Sequence, residues 1–168
     1  MANRSHGALE INWPTHYSPA NAPVHVRNTL LIEASAEHVW AWLVRAELWP
    51  DWYSNASRIR IRGNRGPDLA LGTEFRWRTF GFGIRSRVQE FVPCSRIAWD
   101  GHAVGIDVYH AWVIEERGPG CTVVTEETQH GVIARLGAAW MPKRMSNFHQ
   151  IWLEGLAAKA ASGKPPGD

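Results

Sequence analysis

The sequence is poor in the residues that mark disulfide frameworks and membrane spans. It contains only two cysteines in 168 residues, Cys94 and Cys121, which is too few for a disulfide framework. No apolar run approaches the roughly 20 residues that a membrane-spanning helix needs. The N-terminus lacks the basic-then-apolar layout of a secretory signal, so we expect a cytoplasmic protein.

Motifs for cofactor and metal binding are also missing. The eight histidines show no His-x-x-x-His spacing, so we predict no bound metal. Gly-x-Gly-x-x-Gly, Walker and Gly-x-Ser-x-Gly motifs do not occur, which leaves nucleotide cofactors and serine-hydrolase chemistry without support. We expect no cofactor. A net charge of +2 is too small to require a polyanionic partner, so nucleic acid is not expected either.

The chain is rich in tryptophan, with ten residues, and otherwise has the composition of an ordinary globular domain. We predict an irregular N-terminal arm over residues 1–23, a domain over residues 24–161 and a flexible tail over residues 162–168. Trp13 and Tyr17 are expected to pin the arm to the domain, since they would otherwise be exposed aromatics. The sequence does not decide between a monomer and a homodimer.

Alternation of apolar and polar residues predicts a sheet between the arm and the C-terminal third. Ser35 is a good N-cap and predicts a helix over about residues 36–46, followed by a short second helix or turn over residues 47–55. Glycine and proline clusters separate the later strands in the manner of an antiparallel meander. The predicted strands span residues 24–34, 57–63, 73–80, 84–91, 96–102, 106–116 and 121–130.

The C-terminal third has helical periodicity. Apolar residues recur every three or four positions, which predicts a long helix with one broad apolar face. Pro142 lies inside this run and should kink or restart the helix. The natural packing is an α+β fold in which a curved antiparallel sheet wraps around the long C-terminal helix, with two short helices after the first strand. The periodic residues are Leu136, Trp140, Met141, Met145, Phe148, Trp152 and Leu156.

Element order and several local patterns resemble one known superfamily. The patterns include Ala34–Trp40, Leu48–Trp52, Gly72–Phe75, Val88–Pro93 with Arg96–Trp99, and Gly120–Val124 with Glu126–Glu127. Over about residues 24–160 the chain is similar to the START-like (SRPBCC) superfamily, specifically its polyketide cyclase/dehydrase and lipid-transport group, with the helix-grip fold of Bet v 1. The resemblance implies a deep cavity between sheet and terminal helix that binds a lipid, polyketide, hormone or other apolar molecule. Only some members are enzymes, and they share no single catalytic constellation.

The inward faces of the strands and of the terminal helix supply candidate ligand-binding residues. Such an apolar lining with a few polar points is typical of small-molecule sites. The alternative is that these side chains simply fill a core. The candidates are Phe75, Trp77, Val88, Glu90, Trp99, Val108, Trp112, Met141, Met145, Phe148, His149 and Trp152.

His110 is the candidate for chemistry, because it lies mid-strand on the apolar face. A tight hairpin at residues 118–120 would place it near Glu127, although a shift of one residue would substitute Glu126 or Thr128. A His–Glu pair in a dry pocket could act as a general base or proton shuttle. The alternative is a buried histidine satisfied by a protein partner.

Seven arginines should share the outer face of three neighbouring strands. The face is either solvated or contacts an anionic lipid, an RNA or an acidic protein. The sequence thus supports three functions: binding of an apolar, aromatic or polyketide-like molecule, a cyclase/aromatase-type enzyme using His110 with Glu127, or an interaction module using the arginine face. The arginines are Arg58, Arg60, Arg62, Arg76, Arg78, Arg85 and Arg87.

Overall fold

The computed structural model describes residues 9–63 and 66–167. Residues 1–8 of the predicted arm and the last residue of the predicted tail therefore lie outside the described part. All seven predicted strands are confirmed, with ends that differ by at most two residues. The arm contains two 3₁₀ turns, Thr15–Tyr17 and Pro19–Asn21. The elements that follow are β1 (Val24–Ile32), α1 (Ala36–Val44), a 3₁₀ helix (Ala46–Asp51), β2 (Ser57–Arg62), β3 (Glu74–Thr79), β4 (Phe82–Val92), β5 (Arg96–Ala103), β6 (Ile106–Arg117), β7 (Gly120–His130), α2 (Val132–Gly137) and α3 (Met141–Ala161).

The seven strands form one curved antiparallel sheet in the order β1-β7-β6-β5-β4-β3-β2. The long helix α3 packs against β1, β7 and α1, so that the sheet and the helix bury each other's apolar face. The predicted helix-grip architecture is confirmed. Within the described residues, no helix is both long and apolar enough to cross a membrane.

Local sequence signals account for the helix boundaries. The Ser35 hydroxyl accepts a hydrogen bond from the His38 N–H at 3.2 Å, which is the predicted N-cap of α1. Pro142 lies in the first turn of α3, so it restarts the helix rather than kinking it. The prediction that Leu136 and Trp140 share the apolar face of α3 is wrong. They lie before the restart and are 79% and 51% exposed.

Aromatic side chains fill most of the space between the sheet and α3. The Trp152 ring lies 5.0 Å from those of Trp49 and Trp112 and stacks on Tyr53 at 4.3 Å. Trp49 also lies 5.5 Å from Trp99. These rings are at most 1% exposed. The predicted alternative of a filled core therefore holds for much of the aromatic set.

The arm covers part of the outer face of the sheet. Tyr17 stacks on Tyr109 of β6 with ring centroids 5.2 Å apart, and its hydroxyl donates a hydrogen bond to Asp107 at 2.7 Å. Trp13 packs against the same tyrosine at 5.8 Å. Arg96 donates a further bond to the Glu10 carbonyl at 2.7 Å. The prediction that Trp13 and Tyr17 pin the arm is confirmed.

The described part of the C-terminal tail is bonded to α1 and the residue that follows it. The Trp42 indole donates a hydrogen bond to the Gly163 carbonyl at 2.7 Å, and Arg45 donates to the Pro166 carbonyl at 3.1 Å. Pro165 is buried. The predicted flexible tail therefore contacts the domain as far as Pro166, and its flexibility stays a prediction.

Gly155 allows α3 to approach the chain that follows α1. A Cβ at this position would lie 2.6 Å from the Trp52 carbonyl oxygen. Alanine is the better helix former by about 1 kcal/mol, but the clash involves backbone, so we expect Gly155→Ala to lower the free energy of unfolding by about 1–3 kcal/mol. Urea denaturation measures the change. Among the described residues, no atom lies within 4 Å of a Cβ built on Gly83. Gly83→Ala is therefore the control, and an equal loss in both variants would contradict close packing at Gly155.

Candidate functional site

The β6–β7 hairpin has the predicted register. His110 pairs with Glu127, and Trp112 pairs with Thr125. The His110 Nδ1 atom lies 3.1 Å from Glu127 Oε2, and both side chains are buried. The Gly118-Pro119-Gly120 turn thus places the two residues side by side on the face that points toward α3.

A second histidine, His149 of α3, approaches the same carboxylate. His149 Nε2 lies 3.2 Å from Glu127 Oε2, and Gln129 donates a hydrogen bond to Glu127 Oε1 at 2.8 Å. The other ring nitrogen of His110, Nε2, lies 2.7 Å from the Thr125 hydroxyl. Glu127 is therefore held by three side chains, and both ring nitrogens of His110 have protein partners.

Burial sets the electrostatics of this cluster. Desolvation lowers the pKa of His110 to about 3, although the negative charge of Glu127 acts to raise it. Burial alone would raise the pKa of Glu127, but its two histidine neighbours and Gln129 hold that pKa below its usual value. Glu127 is therefore ionised and His110 is neutral at neutral pH; the carboxylate accepts hydrogen bonds from His149 and Gln129 and lies 3.1 Å from His110 Nδ1.

His110, Glu127 and His149 each offer one ligand atom, and these atoms lie within 4.8 Å of one another. A metal usually requires ring nitrogens whose lone pairs converge on one point. The two histidine rings stack with centroids 4.7 Å apart and planes 18° apart, and His110 Nδ1 and His149 Nε2 lie 3.1 and 3.2 Å from the same Glu127 Oε2 atom. The expected absence of a metal stays a prediction.

A cavity opens beside this cluster, between the sheet, α2 and α3. Its volume is about 40 Å³, which is enough for three or four waters at roughly 10–15 Å³ each. The wall is mainly apolar, with a polar side made by His110, Glu127, Gln129 and His149. The remaining lining residues are Tyr53, Trp77, Thr79, Phe80, Phe82, Ile84, Trp99, Ile106, Val108, Ile133, Met141 and Trp152.

The structure brings together about half of the predicted site residues. The predicted residues that line the cavity are His110, Glu127, Trp77, Trp99, Val108, Met141, His149 and Trp152. The predicted deep cavity is smaller than expected, because the aromatic core occupies its inner part.

Five further candidates lie behind the cavity wall rather than in it. Phe75 and Val88 belong to the buried core. Trp112 stacks behind His110 with ring centroids 5.4 Å apart. Met145 packs in a separate cluster between β1 and α3. Phe148 is half-buried, with its ring against Phe80. None of these five residues is in the cavity lining; they support its wall by packing, and their contact with a ligand stays a prediction.

Glu90 was predicted to point inward, and the structure corrects this. A bulge interrupts β4 between Val88 and Glu90, so that Val88 pairs with Trp99 whereas Glu90 pairs with Ala98. One extra residue reverses the inside-outside alternation. Glu90 consequently lies on the outer face, where it accepts hydrogen bonds from Arg96 at 2.8 Å and Asn12 at 2.6 Å.

Several lining residues were not among the predicted site residues. Ile84 and Gln129 share the alternation of Ser86 and Glu127, so strand periodicity could have identified both. Tyr53 and Ile133 lie in a loop and in a short helix, where no period of two applies. Phe80 has a φ of 50° in the β3–β4 turn, a conformation that alternation does not reveal.

The predicted arginine face is present and exposed. Arg60, Arg76 and Arg85 lie directly opposite one another across β2, β3 and β4. Like charges in such cross-strand positions destabilise a sheet slightly. The adjacent row alternates in sign, with Glu74 between Arg62 and Arg87. Whether this face meets an anionic partner stays a prediction, and steep salt dependence of binding to anionic vesicles or RNA would reveal it.

Comparison with known proteins identifies others with the same fold. The family model for polyketide cyclase / dehydrase and lipid transport matches residues 23–161. The crystal structure of a hypothetical protein from Helicobacter pylori, jhp0584, is 32% identical in sequence with a TM-score of 0.84, covering 90% of this chain and 96% of that one. The crystal structure of TTHA0849 from Thermus thermophilus is 19% identical with a TM-score of 0.68, covering 84% of this chain and 99% of that one.

A third similar structure is the di-domain ARO/CYC StfQ from the steffimycin biosynthetic pathway. It is 14% identical with a TM-score of 0.68, covering 83% of this chain and 51% of StfQ, so this chain spans about half of that protein. No curated protein matches the chain. Since the family model covers most of its length, the chain belongs to the polyketide cyclase/dehydrase and lipid transport family.

Proposed function

We propose that this protein binds a small, apolar, ring-containing molecule in the cavity between the sheet and α3. The observation that carries the proposal is the composition of the wall, in which the rings of Trp77 and Trp99 and the side chains of Val108 and Met141 surround one polar side. Ligand sites commonly combine such an apolar wall with few polar groups. Membership of a family described by polyketide chemistry and lipid transport supports the same reading.

The size of the cavity limits what enters without rearrangement. A cavity of roughly 150 Å³ holds benzene, whereas about 40 Å³ is available here. Side chains at the rim must therefore move when a ligand binds. Phe82 lines the cavity and is 37% exposed, so the cavity reaches the surface at this residue. We place the entry between Phe82 and the α2 residue Ile133.

Filling the cavity should abolish binding. Val108 lines the cavity and is 8% exposed. We expect Val108→Phe to lower toluene affinity by at least roughly tenfold, because the added ring occupies the ligand's volume. Isothermal titration calorimetry of folded protein, checked by circular dichroism, gives the affinities. Leu71→Phe, at a position that is 67% exposed, is the control and should bind as the wild type does.

Two results would contradict the binding proposal. One is that neither toluene nor naphthalene binds up to its solubility and that native mass spectrometry of the purified protein shows no apolar passenger. The other is that Val108→Phe binds toluene as the wild type does, which would place the ligand elsewhere on the molecule.

A cyclase-type enzyme is the second candidate, and the carboxylate held between two histidines favours it. His110 or His149, each held by Glu127, could take the α-proton of a ketone while the electrons of the C–H bond move to the carbonyl oxygen. The histidine exchanges that proton with solvent, and a solvent proton then returns to the α-carbon. We expect the wild type to accelerate deuterium exchange at the methyl group of acetophenone in D₂O, followed by NMR. Glu127→Gln should remove the acceleration. Exchange at the uncatalysed rate in both proteins would contradict the enzyme candidate, and ligand binding would be the only function still supported.

A further inference from the structure

Exposed apolar side chains gather at the end of the domain where the cavity opens. Of the nine large apolar side chains that are exposed in the described part of the chain, five lie in or beside the β3–β4 turn, the β5–β6 turn and α2. Val104 is 96% exposed and Val132 is 59% exposed. Apolar side chains that cluster on a surface mark an interaction site. The five, which we call the entry rim, are Phe82, Val104, Val132, Leu136 and Trp140.

Contacts between the β5–β6 turn and α2 join most of the entry rim. The Ile133 N–H donates a hydrogen bond to the Gly105 carbonyl at 3.1 Å. A Cβ built on Gly105 would lie 2.9 Å from Val132 Cγ1, so Val104, the residue before this glycine, lies beside α2. Val132 and Leu136 are four positions apart in α2 and share one face of the helix. The turn and the helix thus present these apolar side chains to solvent on neighbouring segments.

The segments of the entry rim also contribute to the cavity wall. Phe82, Ile133 and Met141 all line the cavity. Trp140 directly precedes Met141, and its ring would lie 3.5 Å from a Cβ built on Gly137, so this ring lies beside the end of α2. The same segments therefore carry apolar side chains outward to solvent and inward to the cavity.

The free charges on these segments have one sign. Residues 128–153 contain no aspartate or glutamate, whereas Arg135, Lys143 and Arg144 are exposed. The Arg144 guanidinium lies 5.6 Å from the ring centroid of Phe80, which lines the cavity. Asp107 follows the β5–β6 turn, but its carboxylate is bonded to the arm. The entry rim is therefore an apolar surface with a cationic border.

We infer that the entry rim docks on the surface of a membrane that contains anionic lipids, with the cavity opening toward the bilayer. Tryptophan and aliphatic side chains partition into the headgroup region of a bilayer, and arginine and lysine are attracted by its negative charge. Two copies of the entry rim placed face to face would bring their cations together, which disfavours a second copy as the partner. The inference goes beyond the proposed function, because the docking does not require an occupied cavity.

Vesicle cosedimentation of the full chain tests the docking. We expect the wild type to bind vesicles of two parts phosphatidylcholine to one part phosphatidylserine at least roughly tenfold more tightly than vesicles of phosphatidylcholine alone. Leu136→Ser combined with Trp140→Ser should lower the affinity for the anionic vesicles at least roughly tenfold. Leu31→Ser combined with Leu71→Ser changes two exposed leucines elsewhere and should bind as the wild type does. Circular dichroism checks that both double variants fold.

A matched pair of charge variants separates the entry rim from the arginine face. Arg135→Gln with Lys143→Gln removes two charges beside the entry rim, and should weaken binding to the anionic vesicles at least roughly tenfold. Arg60→Gln with Arg76→Gln removes two charges from the outer face of the sheet, and should weaken it less than roughly twofold. Equal losses in the two double variants would contradict docking through the entry rim.

Fluorescence quenching by brominated acyl chains locates the contact. Bromine quenches an indole that enters the bilayer, so we expect less quenching in Trp140→Phe, which keeps an aromatic side chain, than in the wild type. Unchanged quenching in this variant, or a wild type that binds neither kind of vesicle, would overturn the inference; the second result would leave the entry rim for an acidic protein. None of these variants alters the cavity lining, so toluene binding in solution tests the proposed function separately.

Discussion

Replacing Trp152 with alanine is expected to lower the free energy of unfolding by about 3–5 kcal/mol. The side chain is 1% exposed and its ring contacts Trp49, Tyr53 and Trp112 with centroids 4.3–5.0 Å apart. Truncation removes the apolar surface that this ring buries and leaves a cavity where α3 meets the sheet. Urea denaturation followed by circular dichroism measures the loss.

The neighbouring residue provides a control on the same helix. Ile151 is 44% exposed, so Ile151→Ala is expected to cost less than about 1 kcal/mol. Equal losses in the two variants would show that the Trp152 ring is not the centre of the core. A loss near the upper end of the range for Trp152→Ala alone would show that the surrounding rings do not collapse into the space.

Acidification should weaken the fold through His110. The pKa of His110 is about 3 in the folded protein, compared with about 6.5 in an unfolded chain. Between these values the unfolded state binds a proton that the folded state does not, so stability falls as the pH falls. We expect the stability of the wild type relative to His110→Gln to decrease by about 1.4 kcal/mol per pH unit between pH 6 and 4.5. Denaturant titrations at a series of pH values measure this difference.

The other groups of the cluster define the window for that measurement. Glu127 has a lowered pKa in the folded state, so its stabilising contribution is intact above the unfolded value of 4.5 and is lost only at lower pH. His149 faces His110 from α3 and is common to both proteins. His38→Gln, on the outside of α1, should keep the slope of the wild type. A slope that is the same in the wild type and His110→Gln would contradict the burial of a neutral His110.

The fold was predictable from the sequence because its signals are local and agree with one another. Alternating strands, the turn residues and the Ser35 cap each specify the same elements. The beginning of α3 was not predictable from periodicity alone. Leu136 and Trp140 continue the three-to-four spacing, but the helix ends at Gly137 and restarts at Met141, and only the proline that follows hints at this break.

The site was predictable only where a tight turn fixes the geometry. The hairpin turn determines the pairing of His110 with Glu127, and the structure has that pairing. The bulge that turns Glu90 outward leaves no signal in an alternating pattern. The approach of His149 depends on how α3 is rotated against the sheet, which is a property of the packed core. Sequence could thus name His149 but not its contact with Glu127.

The arm extends the folded domain beyond the residues that the family match covers. The family match begins at residue 23, whereas Leu9, Ile11 and Trp13 pack on Tyr109 and its apolar neighbours. A fragment trimmed to the match would retain every strand but expose a strip of apolar side chains on its convex side. Two such fragments would gain by burying that strip against each other, in the manner of a β-sandwich. In the 168-residue chain the arm takes the place of a second sheet and covers these apolar side chains.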